Sequence, residues 1–136
     1  MPRDSPGSPA MTAALVLVGG ALGALCRYGA STLSTRLLGG GFPWGTLVVN
    51  MVGCFIIGIA SGLMERSALP KQLWPLAVTG FLGGFTTFST FSLESLLLFR
   101  EGAEAKAVVN MALNGAGGLA ACVCGLALAL RATRGL

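Results

Sequence analysis

A chain of 136 residues that is 54% hydrophobic and 10% charged departs from soluble domains, where about 25% of residues carry charge. Lipid, not water, is its main solvent. The net charge of +4 does not signal a nucleic-acid partner, because the basic residues lie scattered between apolar runs with no stripe of interleaved aromatics. The absence of histidine removes the commonest general base and metal ligand. Four cysteines, at 26, 54, 122 and 124, lie inside apolar runs without zinc or disulfide spacing and read as small packing residues. With no internal repeat, the length fits one helical unit, too small to enclose a wide pore alone.

In chain order, residues 1–9, MPRDSPGSP, mix prolines with both signs of charge and are expected to form a disordered N-terminal tail. The next apolar run exceeds a signal-peptide core and no clean cleavage site follows it, so it is expected to be retained. Residues 10–136 then form a transmembrane domain. Its apolar segments, about 10–37, 46–64, 73–99 and 105–130, each approach or exceed the ~20 residues a membrane-spanning helix needs. Short connections at 39–45, 65–72 and 100–104 make neighbouring helices antiparallel. An even number of crossings groups Arg3, Arg66, Lys71, Arg131 and Arg134 on one side and Arg36, Arg100 and Lys106 on the other. That bias is weak under the positive-inside rule, so insertion in both orientations is conceivable.

Polar groups at membrane depth are costly and mark packed interiors, cavities or ion paths. In the first segment Gly20, Gly23 and Arg27 share one helical face, and Gly19 with Gly23 forms a G-x-x-x-G pair for close helix approach. Arg27 reads equally as a charge beside a packed surface or as a helix-end residue snorkelling to headgroups. In the second, Thr46, Asn50 and Gly53 share a face. Asn50 offers amide donors to a passing ion, or serves as interhelical glue; Gly58 and Gly62 read as a packing seam. In the fourth, Asn110 and Asn114 with Gly117 and Gly118 form a track that suits either an amide path or a polar helix seam.

The third segment is unusual: GFLGGFTTFSTFSLE, residues 80–94, sets glycines and competing hydroxyls at mid-span. A break near Gly83 to Thr87 is expected, and irregular backbone at that depth is tolerated only in protein or beside a cavity. Phe88 and Phe91 can present rings along one wall, while Thr87, Thr90 and Glu94 line another. A ring edge carries the positive part of the aromatic quadrupole, which a dehydrated anion can exploit. Glu94 fits an ion-path carboxylate or a buried interface residue.

G-x-x-G-x-x-x-R-Y at Gly20 to Tyr28, GTLVVNMVG at Gly45 to Gly53 and GFLGGFTTFSTF at Gly80 to Phe91 together resemble the small bacterial fluoride channels of the Fluc, or CrcB, family. The resemblance spans nearly everything after the tail. It implies an all-α integral membrane fold with four transmembrane helices and a broken third helix, in an antiparallel, dual-topology homodimer in the bacterial plasma membrane. Two fluoride pores would run along the interface, and a structural sodium ion would be held there by backbone carbonyls of Gly83 and Thr86. Phe88 and Phe91 would be pore rings, Asn50 a fluoride-contacting amide, Arg27 a vestibule charge, and Ser89 and Thr90 hydroxyls of a polar track. Asn110 and Asn114 stand where relatives carry Tyr and Ser hydroxyls, which leaves the far wall of the pore open.

Rival classes fit less well. A proton-coupled exporter of the small multidrug-resistance type uses a carboxylate in its first helix, and residues 10–37 contain none. A non-transporting scaffold would need no Thr/Phe-rich interruption, and no nucleophile–base pair or metal cluster for an enzyme can be assembled.

Overall fold

A computed structural model describes residues 7–134, and every regular element among them is helical. Helix α1, Pro9–Leu38, starts where Ser8 Oγ accepts a hydrogen bond from the Met11 N–H at 3.3 Å and proline occupies the first turn, where its missing N–H costs nothing. Residues 1–6 of the expected tail lie outside the described residues; Ser8 and Pro9 belong to the helix start. Helix α2 is Trp44–Glu65. It ends in a Schellman turn in which Ser67 takes φ 56° and the Ala68 N–H bonds the Leu63 carbonyl at 2.8 Å, satisfying a carbonyl the helix end would leave open.

The third span, Lys71–Arg100, contains α3, residues 71–85, and α4, Phe88–Arg100. Over Pro75–Leu82, α3 is wound in the wider π geometry. Between the two helices, Thr86 (φ −86°, ψ 160°) and Thr87 (φ −151°, ψ 119°) leave helical geometry. The local reason lies in the hydroxyls: Thr87 Oγ1 accepts from the Thr90 N–H at 3.2 Å and so caps α4 from within the span. Gly102, at φ 76°, then turns the chain into α5, Glu104–Ala132, which carries a π turn over Leu113–Gly117.

Among the described residues, four spans are long and apolar enough to cross a bilayer. Their outward faces carry the large apolar side chains: Leu17, Leu25 and Leu119 are each about two-thirds or more exposed. The interior mixes a few apolar residues, such as Val49 and Leu82, with many small and polar ones, among them Gly19, Gly23, Thr46, Asn50 and Asn110. Lipid explains the inversion. Burying leucine gains nothing against acyl chains, so close packing and hydrogen bonds must hold the helices together.

Close packing is built from glycine. On α1, a Cβ at Gly23 would run into the Phe81 carbonyl of α3; in return, a Cβ at Gly80 would lie 2.8 Å from the Val16 carbonyl. The α2–α5 seam repeats this, with Gly58 against the Cys122 carbonyl, Gly62 against Ala129 and Gly125 against the Phe55 carbonyl. The expected seam at Gly58 and Gly62 is therefore a main-chain contact between spans. Gly23→Ala is expected to lower stability by about 1–3 kcal/mol in thermal unfolding of detergent-purified protein. Gly29→Ala, with nothing within 4 Å of the added methyl, is expected to leave stability unchanged or slightly raised.

Candidate functional site

Two consecutive extended residues inside an apolar span leave main-chain groups without helical partners. Asn50 of α2 supplies what is missing. Its Oδ1 accepts from the Thr87 N–H at 2.8 Å and its Nδ2 donates to the Thr87 carbonyl at 3.0 Å, so one amide supplies the acceptor that the Thr87 N–H loses at the break and adds a donor to the carbonyl that, as N-cap, opens α4. Gly53, one turn further along the same face, clears the space: a Cβ there would overlap the Thr86 side-chain methyl. The shared face of Thr46, Asn50 and Gly53 is thus the cradle of the interruption. Thr46 Oγ1 donates to Glu94 Oε1 at 2.8 Å, while Glu94 Oε2 is enclosed without a hydrogen-bond partner among the described residues.

From Asn50 the hydrogen bonds continue into α5. The second Nδ2 hydrogen of Asn50 goes to Asn114 Oδ1 at 2.8 Å, and Asn114 Nδ2 donates to Asn110 Oδ1 at 2.9 Å. Asn110 Nδ2 donates to Ser95 Oγ at 2.9 Å, and Ser95 Oγ donates to the Phe91 carbonyl at 2.9 Å. Asn114 belongs to the π turn of α5, a deviation from regular winding that is common at functional sites.

Two clefts flank the first turn of α4. One, of about 200 Å³, is lined by Asn50, Thr86, Thr87, Phe88, Phe91 and Asn114. The other, of about 370 Å³, is lined by Arg27, Tyr28, Thr46, Thr87, Thr90 and Glu94. Thr87 borders both. Thr35, Pro43 and Glu94 also line a third opening, of about 440 Å³, beside the Gly40–Gly41 loop, which Lys106 Nζ ties down through the Gly41 carbonyl at 2.8 Å.

These clefts sort the residues singled out in the sequence. Phe88 is 79% exposed and meets Phe91 edge to face, with ring centroids 5.3 Å apart; both rings, with Asn50 and Asn114, line the smaller cleft. Thr90 and Arg27 line the larger one, and Ser89, exposed beside them, lies within 3.3 Å of the Thr87 hydroxyl. Arg27 is no helix-end residue, since α1 runs on to Leu38, and its Nη1 reaches the Thr86 carbonyl at 3.4 Å. At the two amides left open between ion path and helix seam, the single chain shows the seam: Asn110, counted among the pore residues, is 0% exposed with its amide engaged by Ser95 and Asn114, and Asn50 has both Nδ2 hydrogens engaged by Thr87 and Asn114. Ser95 and Thr46 went unread as site residues, because their partners lie in other spans and sequence spacing cannot connect them.

The family profile described as "CrcB-like protein, Camphor Resistance (CrcB)" matches residues 14–126. The chain belongs to the CrcB family. Among similar proteins named "Fluoride-specific ion channel FluC", one from Rhizobium leguminosarum bv. trifolii (strain WSM2304) is 49% identical over 118 residues, covering 85% of this chain and 94% of its own. One from Rhizobium johnstonii (strain DSM 114642 / LMG 32736 / 3841) is 45% identical over 117 residues, with the same coverage. Another, from Aeromonas salmonicida (strain A449), is 50% identical over 100 residues, covering 73% of this chain and 80% of its own. With four apolar spans, this CrcB chain is a multi-pass membrane protein.

The interruption in the CrcB chain also releases carbonyls. Gly83 would accept from the Thr87 N–H in an unbroken helix, but that N–H is held by Asn50. Thr86 would accept from the Thr90 N–H, which Thr87 Oγ1 takes. Both are neutral, hard oxygens of the kind that unwound main chain offers to Na+, the Thr86 one already within 3.4 Å of Arg27 Nη1. Asn50→Leu, which strands the Thr87 N–H and removes a donor from the Thr87 carbonyl, is expected to cost about 2–5 kcal/mol of stability, read by thermal or denaturant unfolding; a loss under about 1 kcal/mol would mean that the clamp is idle.

Proposed function

We propose that this chain is a fluoride-selective passive channel that exports fluoride across the bacterial plasma membrane as an antiparallel, dual-topology homodimer with two pores. Relatives of this CrcB chain are named fluoride-specific ion channels, which places them outside the enzymes. The observation that carries the reading is the ring pair of exposed Phe88 and half-buried Phe91, mounted beside Ser89 and Thr90 on the capped first turn of α4. Exposed hydroxyls at that depth would be costly against acyl chains. A second copy covering this face would turn both clefts into walled paths, and the weak charge asymmetry of the loops is compatible with copies inserted in opposite senses.

The chemistry suits a small, strongly hydrated anion. Ring edges present positive partial charge, and a row of neutral hydroxyl and amide donors can replace water stepwise without binding so tightly that release fails. Arg27, half-buried at the larger cleft, concentrates anions at the entrance. Asn50 reaches an ion only by exchanging the Thr87 or Asn114 oxygen for it, which keeps that contact weak. Asn114 lines the path and Asn110 supports it from behind. The freed carbonyls of Gly83 and Thr86, contributed by both copies, would hold a sodium ion whose charge offsets the main-chain oxygens gathered at the interface.

In proteoliposomes the purified protein is expected to pass fluoride electrogenically and to exclude chloride; equal passage of both ions, or of neither, would refute the assignment. Phe88→Ile is expected to lower fluoride flux at least tenfold while the dimer keeps its elution volume in size-exclusion chromatography. Unaltered flux would remove Phe88 from the ion path.

A further inference from the structure

The hydrogen bonds that start at Thr87 return to the helix they left. Thr87 and Phe91 stand at opposite ends of the first turn of α4, and Ser95 one turn further on. The path between them runs out through Asn50 of α2, across Asn114 and Asn110 of α5, and back through Ser95 to the Phe91 carbonyl.

Its direction is fixed by groups that cannot reverse. The Thr87 N–H can only donate and its carbonyl only accept, so the Asn50 amide has a single orientation. Asn50 then presents a donor to Asn114, whose oxygen must face it. Asn114 Nδ2 also donates to the Asn110 main-chain carbonyl at 3.0 Å, another group that can only accept. Asn110 is left with its oxygen toward Asn114 and its Nδ2 toward Ser95. The Ser95 hydroxyl, its one proton given to Phe91, accepts.

Resting on the fluoride-channel assignment above, we infer that Ser95 and Asn110 are positioning residues for the ring-bearing turn of α4. Neither lines any of the three clefts, and both are buried, Asn110 wholly so and Ser95 at 5% exposure. They form the second mount of the turn that carries Phe88 and Phe91, the first being Asn50 on Thr87. Asn114 joins the two mounts, so the amide orientation on the α2 side and the ring position on the α4 side are set together. A serine bonded back to the carbonyl four residues earlier also bends its helix slightly, and here that carbonyl belongs to Phe91. The ring angle thus depends on a hydroxyl that the ion does not touch.

The test compares Ser95→Ala and Ser95→Thr with the parent protein, each as full chain in nanodiscs. The side-chain amide resonances of Asn50, identified by their loss in Asn50→Asp, are followed by NMR, and fluoride flux is measured in liposomes. Ser95→Ala strands the Asn110 N–H and is expected to shift the Asn50 resonances, although these residues share no bond, and to lower flux about tenfold. Ser95→Thr, which keeps the hydroxyl, is expected to restore both to near parent values. Asn110→Leu combined with Ser95→Ala is expected to be no worse than Asn110→Leu alone, as for members of one network. Unmoved Asn50 resonances in Ser95→Ala, equal losses in the Ala and Thr variants, or additive losses in the double variant would each overturn the inference. A parent protein that passes no fluoride would instead refute the channel assignment, and the resonances would still decide whether the two mounts are coupled.

Discussion

One amide, Asn50, takes the Thr87 N–H that the break deprives of a helical acceptor and donates to the Thr87 carbonyl as well, and the rest of the arrangement follows from it. Main chain that leaves helical geometry inside an apolar span must find partners within the protein, because the surrounding hydrocarbon offers none. Asn50 meets that need from a neighbouring helix, which is why α2 must pass close to the interruption and why Gly53 has no side chain to block Thr86. Satisfying Thr87 in this way deprives Gly83 of its usual donor, and capping by Thr87 Oγ1 does the same for Thr86. Stability and two main-chain oxygens without their helical donors thus arise from the same exchange of side-chain for backbone partners.

Packing serves the same geometry. The α1–α3 and α2–α5 contacts are made by glycines against main-chain carbonyls, so the helices sit closer than leucine-lined helices could. Close approach brings Arg27 within reach of the Thr86 carbonyl and Asn50 within reach of Thr87. The polar interior, small in volume and rich in hydrogen bonds, then divides into clefts on either side of α4's first turn. Most leucines are left for the outer surface, where lipid makes them costless, while Leu47 and Leu82 stay inside.

Much of this was legible from residue order. Span number and approximate bounds came from apolar length, and the packing role of Gly58 and Gly62 from helical spacing. The irregular stretch near Thr87 came from glycines and hydroxyls crowded at mid-span, because those are local preferences. Asn110 and Asn114 were read as a face, which they are, yet whether that face meets an ion or another helix depends on what lies opposite. Ser95 lies opposite Asn110 and seals it. Cys54 and Cys122 are partly buried, while Cys26 and Cys124 are exposed on the outer surface, a division that composition could not provide.

The sequence by itself determined the solvent, the four crossings and the place where the third span departs from regular helix, since each depends on composition or on neighbours within a turn or two. Only the tertiary structure decided which donors are free and which are spent. Asn50, Asn114, Asn110 and Ser95 belong to three different spans, and the orientation of each amide is set by its partner across the packing seam, a relation that the linear order of residues does not contain.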